Sequence, residues 1–237
     1  MCTVVVLIRP GHRWPVALAA NRDERVDRAW DPPAAWWPEH PGVIGGRDRS
    51  AGGTWMALGP SGVVAAVLNR PGTLGPEAGK RSRGALPILA VSQPTAAAGA
   101  QAIAALDAGL WRGFNMVIAD AAGALFVRGT GQGRPVVEPL PAGLHMVTAH
   151  DPNDLQSPRI ARHLPRFRAA TPPEPGGWHD WPALLGDRGG GAQSQLDIDP
   201  RGGFGTVCAS LVALPADAPP IWLFAAGRPH AAPFRPV

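Results

Sequence analysis

The 237-residue sequence contains no tyrosine. With no phenol to ionise at high pH, little opposes the arginines, and the pI reaches 10.3 although the formal net charge is only +4. The arginines are spread along the chain without a block of like charges, so the high pI is not a nucleic-acid signature. Charged residues are also scarce, 17% against 45% hydrophobic, which excludes a disordered chain. Two cysteines, Cys2 and Cys208, are too few for a disulfide framework at this length. The apolar stretch from Thr3 to Ile8 is far too short to span a bilayer, and the N-terminus lacks the layout of a secretory signal. The expectation is a cytoplasmic soluble protein, a single domain over 1–237 with a substantial core.

What is present is strand-rich at both ends. TVVVLI and VALAA flank RPGHRWP as a hairpin; TWMAL and VVAAVLN flank GPSG; FNMVIAD and ALFVRG flank AAG. LHMVTA reads as a further strand, and TVCASLVAL and PIWLFAA as a last pair. ALPILAVS and PTAAAGAQAIAALDAG read as helices between them, and SPRIARHLPRF as a short helix interrupted at Pro165. The proline-rich WDPPAAWWPEHPGV reads as a surface connection anchored by its tryptophans. Strands at the ends with helices between predict an α+β domain of antiparallel sheets covered by helices.

The chemistry starts at Cys2. If Met1 is removed, Cys2 becomes an N-terminal nucleophile with its own α-amino group as base. The first hairpin has its loop centre near His12, so paired residue numbers should sum to about 24. Cys2 then lies beside NRDE, Asn21 to Glu24, where Asn21 and Asp23 share a face and Arg22 points to the other. A thiol, an amide and a carboxylate would converge at the open end of one hairpin.

An N-terminal MCT strand, LAANRDE, GGTW, VLNRPG and GFNMVIAD occur in that order. On these motifs the sequence resembles the NRDE family, whose eukaryotic branch is the transport-and-Golgi-organisation protein. That family is similar in turn to the N-terminal-nucleophile hydrolases of the choloylglycine hydrolase and penicillin V acylase group. The resemblance implies a four-layer αββα sandwich and hydrolysis of a non-peptide carbon–nitrogen bond in an N-acyl amide. It assigns catalysis to Cys2, Asn21, Asp23 and Asn69, with Asn69 as oxyanion donor; Arg22, Asn115 and His150 are the expected substrate-binding residues. No cofactor is expected. Ala20 and Val207 stand where those hydrolases carry arginines. The rival expectation is a non-catalytic carrier of haem or a lipid-like ligand, the cargo associated with the eukaryotic relatives.

Other motifs carry no chemistry. GPEAGKRS has a misplaced leading glycine and Arg81 where a phosphate loop needs Ser or Thr; GTGQG leads into no helix. His145 and His150 fall on opposite faces of one strand, against a metal site. Cys208, among apolar residues, reads as core.

Overall fold

The structure, a computed structural model, describes residues 2–237. In chain order the elements begin with β1 (Thr3–Ile8), β2 (Val16–Arg25), β3 (Trp30–Ala34), β4 (Ile44–Asp48), β5 (Met56–Leu58) and β6 (Val64–Asn69). Helices α1 (Ala85–Val91) and α2 (Ala96–Ala104) follow, then β7 (Phe114–Asp120), β8 (Gly123–Gly129), β9 (Val136–Leu140) and β10 (Gly143–Val147). The chain ends with α3 (Pro158–Ala169), α4 (Trp181–Leu185), β11 (Phe204–Leu214), β12 (Ile221–Ala225) and β13 (Arg235–Pro236). It forms two compact units, Met1–Asp27 with Ala142–Val237, and Arg28–Pro141.

The first unit is a six-stranded antiparallel sheet ordered β10-β1-β2-β11-β12-β13. β1 pairs with β2 from Thr3 opposite Asn21 to Ile8 opposite Val16, the register expected from a loop near His12. One face carries α3 and α4, where Val5, Leu7, Ala17, Ala19 and Leu211 pack with Ile160, Leu164, Phe167 and Trp181. Ser157 caps α3, its side chain accepting from Ile160 N, and Pro158 supplies a first-turn residue that needs no amide partner. Pro165 does not interrupt this helix, contrary to expectation. It removes one helical hydrogen bond, while Ile160, Leu164 and Phe167 bury the stripe on either side of it.

The second unit is a seven-stranded antiparallel meander in chain order, β3 to β9. Helices α1 and α2 cover one face: Leu86, Ile88, Ala100 and Ile103 pack with Ala65, Phe114, Met116 and Val127. The segment read as a surface connection contains β3. Its prolines Pro32 and Pro33 are tolerated because β3 is an edge strand whose register shifts between Asp31 and Ala34. VVEPL likewise forms β9, the opposite edge, with Pro139 in it.

Trp14, Trp37, Trp111, Trp178, Trp181 and Trp222 are buried. Trp14 stacks on Trp178 with ring centroids 5.5 Å apart, and Phe167 meets Trp181 edge-on at 5.4 Å. Trp14, Trp178 and Trp181 serve the core of the first unit, and Trp37 and Trp111 that of the second. Among the described residues no helix is long and apolar enough to cross a membrane.

Candidate active site

Cys2 directly precedes the first paired residue of β1, so it sits where main-chain pairing on that strand begins. Its Sγ donates to the main-chain oxygen of Asp23 at 3.8 Å. Cys2 as a residue is half-buried, whereas Cys208 is buried. Burial pushes the Cys2 thiol up; within its own unit the Asp23 charge adds to that rise and Arg22 opposes it.

Asn21 and Asp23 continue the helix-covered face set by Ala17 and Ala19. Asn21 Nδ2 donates to Leu185 O at 2.9 Å and Leu196 O at 3.0 Å, so both amide hydrogens are spent on main-chain carbonyls. Asp23 Oδ2 accepts from Arg159 Nη1 at 2.8 Å, and the two side chains are 0% and 5% exposed. The residue of the N-terminal strand that joins this face is Thr3, whose Oγ1 accepts from the same Arg159 Nη1 at 3.0 Å. The part of Asp23 to which the Cys2 thiol donates is its carbonyl, while the carboxylate is held by Arg159. The cause is strand alternation, which aligns Asn21 with Thr3 and not with Cys2. Arg22 takes the opposite face, with Cys208 directly across from it on β11.

The second Asp23 oxygen accepts from Thr206 Oγ1 at 2.6 Å. Thr206 is brought opposite Asp23 by a bulge between Thr206 and Cys208 that leaves Val207 outside the pairing. Arg159 and Thr206 were both missed in the sequence. For Arg159 a signal existed: with Ile160, His163, Leu164 and Phe167 it occupies the buried stripe of α3, and an arginine in an apolar stripe needs a buried partner.

In the second unit, Asn69 ends β6 opposite Phe114, and Asn115 stands opposite Leu68. Phe114 packs under the helices, so alternation puts Asn69 on the helix-covered face of its sheet and Asn115 on the other. Asn115 is buried, and its Oδ1 accepts from Arg70 Nη1 at 2.6 Å. His150 lies past the end of β10, its Nδ1 3.2 Å from Asp154 Oδ2. Among the described residues, no group of three or more His, Cys, Asp or Glu is placed to hold a metal.

A family model described as "Transport and Golgi organisation 2" matches residues 1–171. No curated protein sequence matches the chain. Among solved structures, a Caenorhabditis elegans N-acylethanolamine-hydrolyzing acid amidase ortholog is similar with a TM-score of 0.59 and 11% identity, over 89% of this chain and 92% of that one. A mutant conjugated bile acid hydrolase from Clostridium perfringens is similar with a TM-score of 0.51 and 11% identity, over 100% and 96%. The fold is thus α+β with two antiparallel sheets, like that of the N-terminal-nucleophile hydrolases.

Proposed function

This chain belongs to the Transport and Golgi organisation 2 family, and from that premise we propose an N-terminal-cysteine amidohydrolase acting on a linear N-acyl amide. The observation that carries the reading is the seating of the Cys2 thiol on the Asp23 carbonyl, with both Asp23 carboxylate oxygens fixed by buried partners. A thiol pushed up by burial needs a base beside it. The α-amine of Cys2, once freed, has an ordinary pKa near 8 and can take that proton. Met1, whose removal frees it, lies outside the described residues. The thiolate then attacks the amide carbonyl carbon, and the oxyanion is stabilised by a donor worth about 3 kcal/mol in comparable enzymes. Collapse expels the amine, which takes the proton, and water hydrolyses the resulting thioester. Asn69 is proposed as oxyanion donor; Arg22, Asn115 and His150 are proposed to bind substrate.

The raised thiol also favours a second reading, since an unionised cysteine suits a carrier that holds a hydrophobic ligand such as haem without cleaving it. Intact mass spectrometry of the protein exposed to N-acyl amides tests both. A mass increase equal to the acyl group, located on Cys2 and lost in Cys2→Ala, supports the hydrolase. Retention of Met1, or haem binding unchanged by Cys2→Ala with no acylation by any amide, overturns it in favour of the carrier.

A further inference from the structure

We infer that Arg159 is the positioning residue for Cys2, clamping the start of β1 to β2 through a guanidinium shared by Thr3 and Asp23. This rests on the reading of Cys2 as the reactive thiol. Main-chain pairing of β1 begins at Thr3, so nothing in the β1–β2 ladder restrains the residue before it; strand ends held by few bonds open readily. Arg159 Nη1 supplies the missing restraint. It donates to Thr3, the residue after the thiol, and to Asp23, the residue whose carbonyl receives the thiol.

The clamp is itself held in place. Arg159 is 4% exposed and lies in the first turn of α3, behind the Ser157 cap. On its other side the Asp23 carboxylate is pinned by Thr206. Four elements, β1, β2, β11 and α3, thus fix the two residues that flank the sulfur. Placement of a nucleophile to within a fraction of an ångström governs its rate.

Arg159 also has an electrostatic effect. The charges acting on the thiol are the chain's N-terminal ammonium, which favours the thiolate, and, among the described residues, Asp23 and Arg22 of β2; the nearby titratable group on β11 is Cys208. Asp23 disfavours the thiolate, and Arg159 offsets that carboxylate at 2.8 Å. Losing the guanidinium leaves the carboxylate to oppose ionisation of Cys2 unbalanced.

The test is the rate of Cys2 alkylation by iodoacetamide from pH 6 to 10 in the full chain, with Cys2 and Cys208 peptides quantified separately by mass spectrometry. Arg159→Met is expected to slow Cys2 alkylation at pH 8 about tenfold and move its midpoint up by about one pH unit. Arg159→Lys, which keeps the charge, should restore the midpoint but not the full rate. Thr3→Val, which leaves the ion pair intact and keeps the measurement usable if Arg159→Met fails to fold, should slow alkylation about threefold. Unchanged rate and midpoint in Arg159→Met, or in Thr3→Val where the former does not fold, would overturn the assignment and make Arg159 a packing residue only. Alkylation needs no substrate, so a wild type with an alkylatable Cys2 and no acylation by amides would fail the hydrolase reading while leaving the clamp standing.

Discussion

Thr206 stands opposite Asp23 because the bulge in β11 leaves Val207 out of the pairing. The later part of β11 pairs with β2 from Cys208 opposite Arg22 to Leu214 opposite Val16; continued back without the bulge, that register would bring Thr206 opposite Glu24. One extra residue therefore moves a hydroxyl onto the helix-covered face, where it meets a buried carboxylate.

Thr206→Val keeps the shape and removes the hydroxyl, so it reads out the bonds that this hydroxyl makes, the one to Asp23 among them. Thr206 Oγ1 also accepts from Ile198 N at 2.8 Å, which loses its partner in the variant. Hydrogen bonds to charged groups contribute about 1.5–3 kcal/mol, and a loss of about 2–3 kcal/mol in urea unfolding is expected. A loss under about 0.5 kcal/mol would mean that Asp23 is satisfied without Thr206.

His163 predicts a pH dependence. It is fully buried; its Nε2 donates to Ser194 O at 2.7 Å, and Arg166 Nη1 lies 3.3 Å from Nδ1. Those partners select the neutral ring with the proton on Nε2, since protonating Nδ1 would set it against the guanidinium. Burial is the main cause that takes its pKa down to about 4 from 6.5. The unfolded chain binds this proton near pH 6.5 and the folded chain only near pH 4. Between them the unfolded state carries more protons, and stability falls as pH falls. The full difference is about 3 kcal/mol. His163→Gln can reproduce both hydrogen bonds without titrating, so its unfolding free energy should lose about 3 kcal/mol less than wild type between pH 7 and 4. Parallel curves for the two proteins would refute the assignment.

Much of this was legible in the sequence because it is local. The β1–β2 register follows from one turn, and the faces of Asn21, Arg22 and Asp23 follow from alternation. What escaped is non-local. Arg159 lies 136 residues from Asp23 and Thr206 lies 183, and no turn or period couples such distances. The bulge at Val207 has Gly205 two residues before it, but a lone glycine at the start of a strand does not place a bulge. β3 and β9 were obscured by prolines that only an edge position permits.

In the second unit, Gly59 should tolerate no side chain. A Cβ there would lie 1.9 Å from the main-chain oxygen of Val91, at the end of α1, and a backbone atom cannot rotate away. Gly59→Ala must displace α1 from the β5–β6 turn, at about 1–3 kcal/mol by the usual cost of overpacking. Thermal unfolding reads this out. An unchanged midpoint would show that α1 shifts freely, which its buried Leu86, Ile88 and Val91 argue against.

Asn21 separates structural from catalytic readings of the NRDE motif. Its two amide hydrogens bind the carbonyls of Leu185 and Leu196, which ties β2 to the end of α4 and to the loop before β11. Its Oδ1 is buried and accepts no hydrogen bond among the described residues. Asn21→Asp keeps the shape and replaces the donor by an oxygen facing two carbonyls, leaving both unsatisfied and a charge without a partner. Stability should fall by about 3 kcal/mol or more at pH 7 and recover partly at low pH, where the carboxyl protonates and regains one donor. Iodoacetamide should still reach Cys2 at close to the wild-type rate in the folded fraction, because the Arg159 clamp does not pass through Asn21. A stable Asn21→Asp protein with an unreactive Cys2 would reverse this, placing Asn21 in the chemistry instead of in the scaffold that carries it.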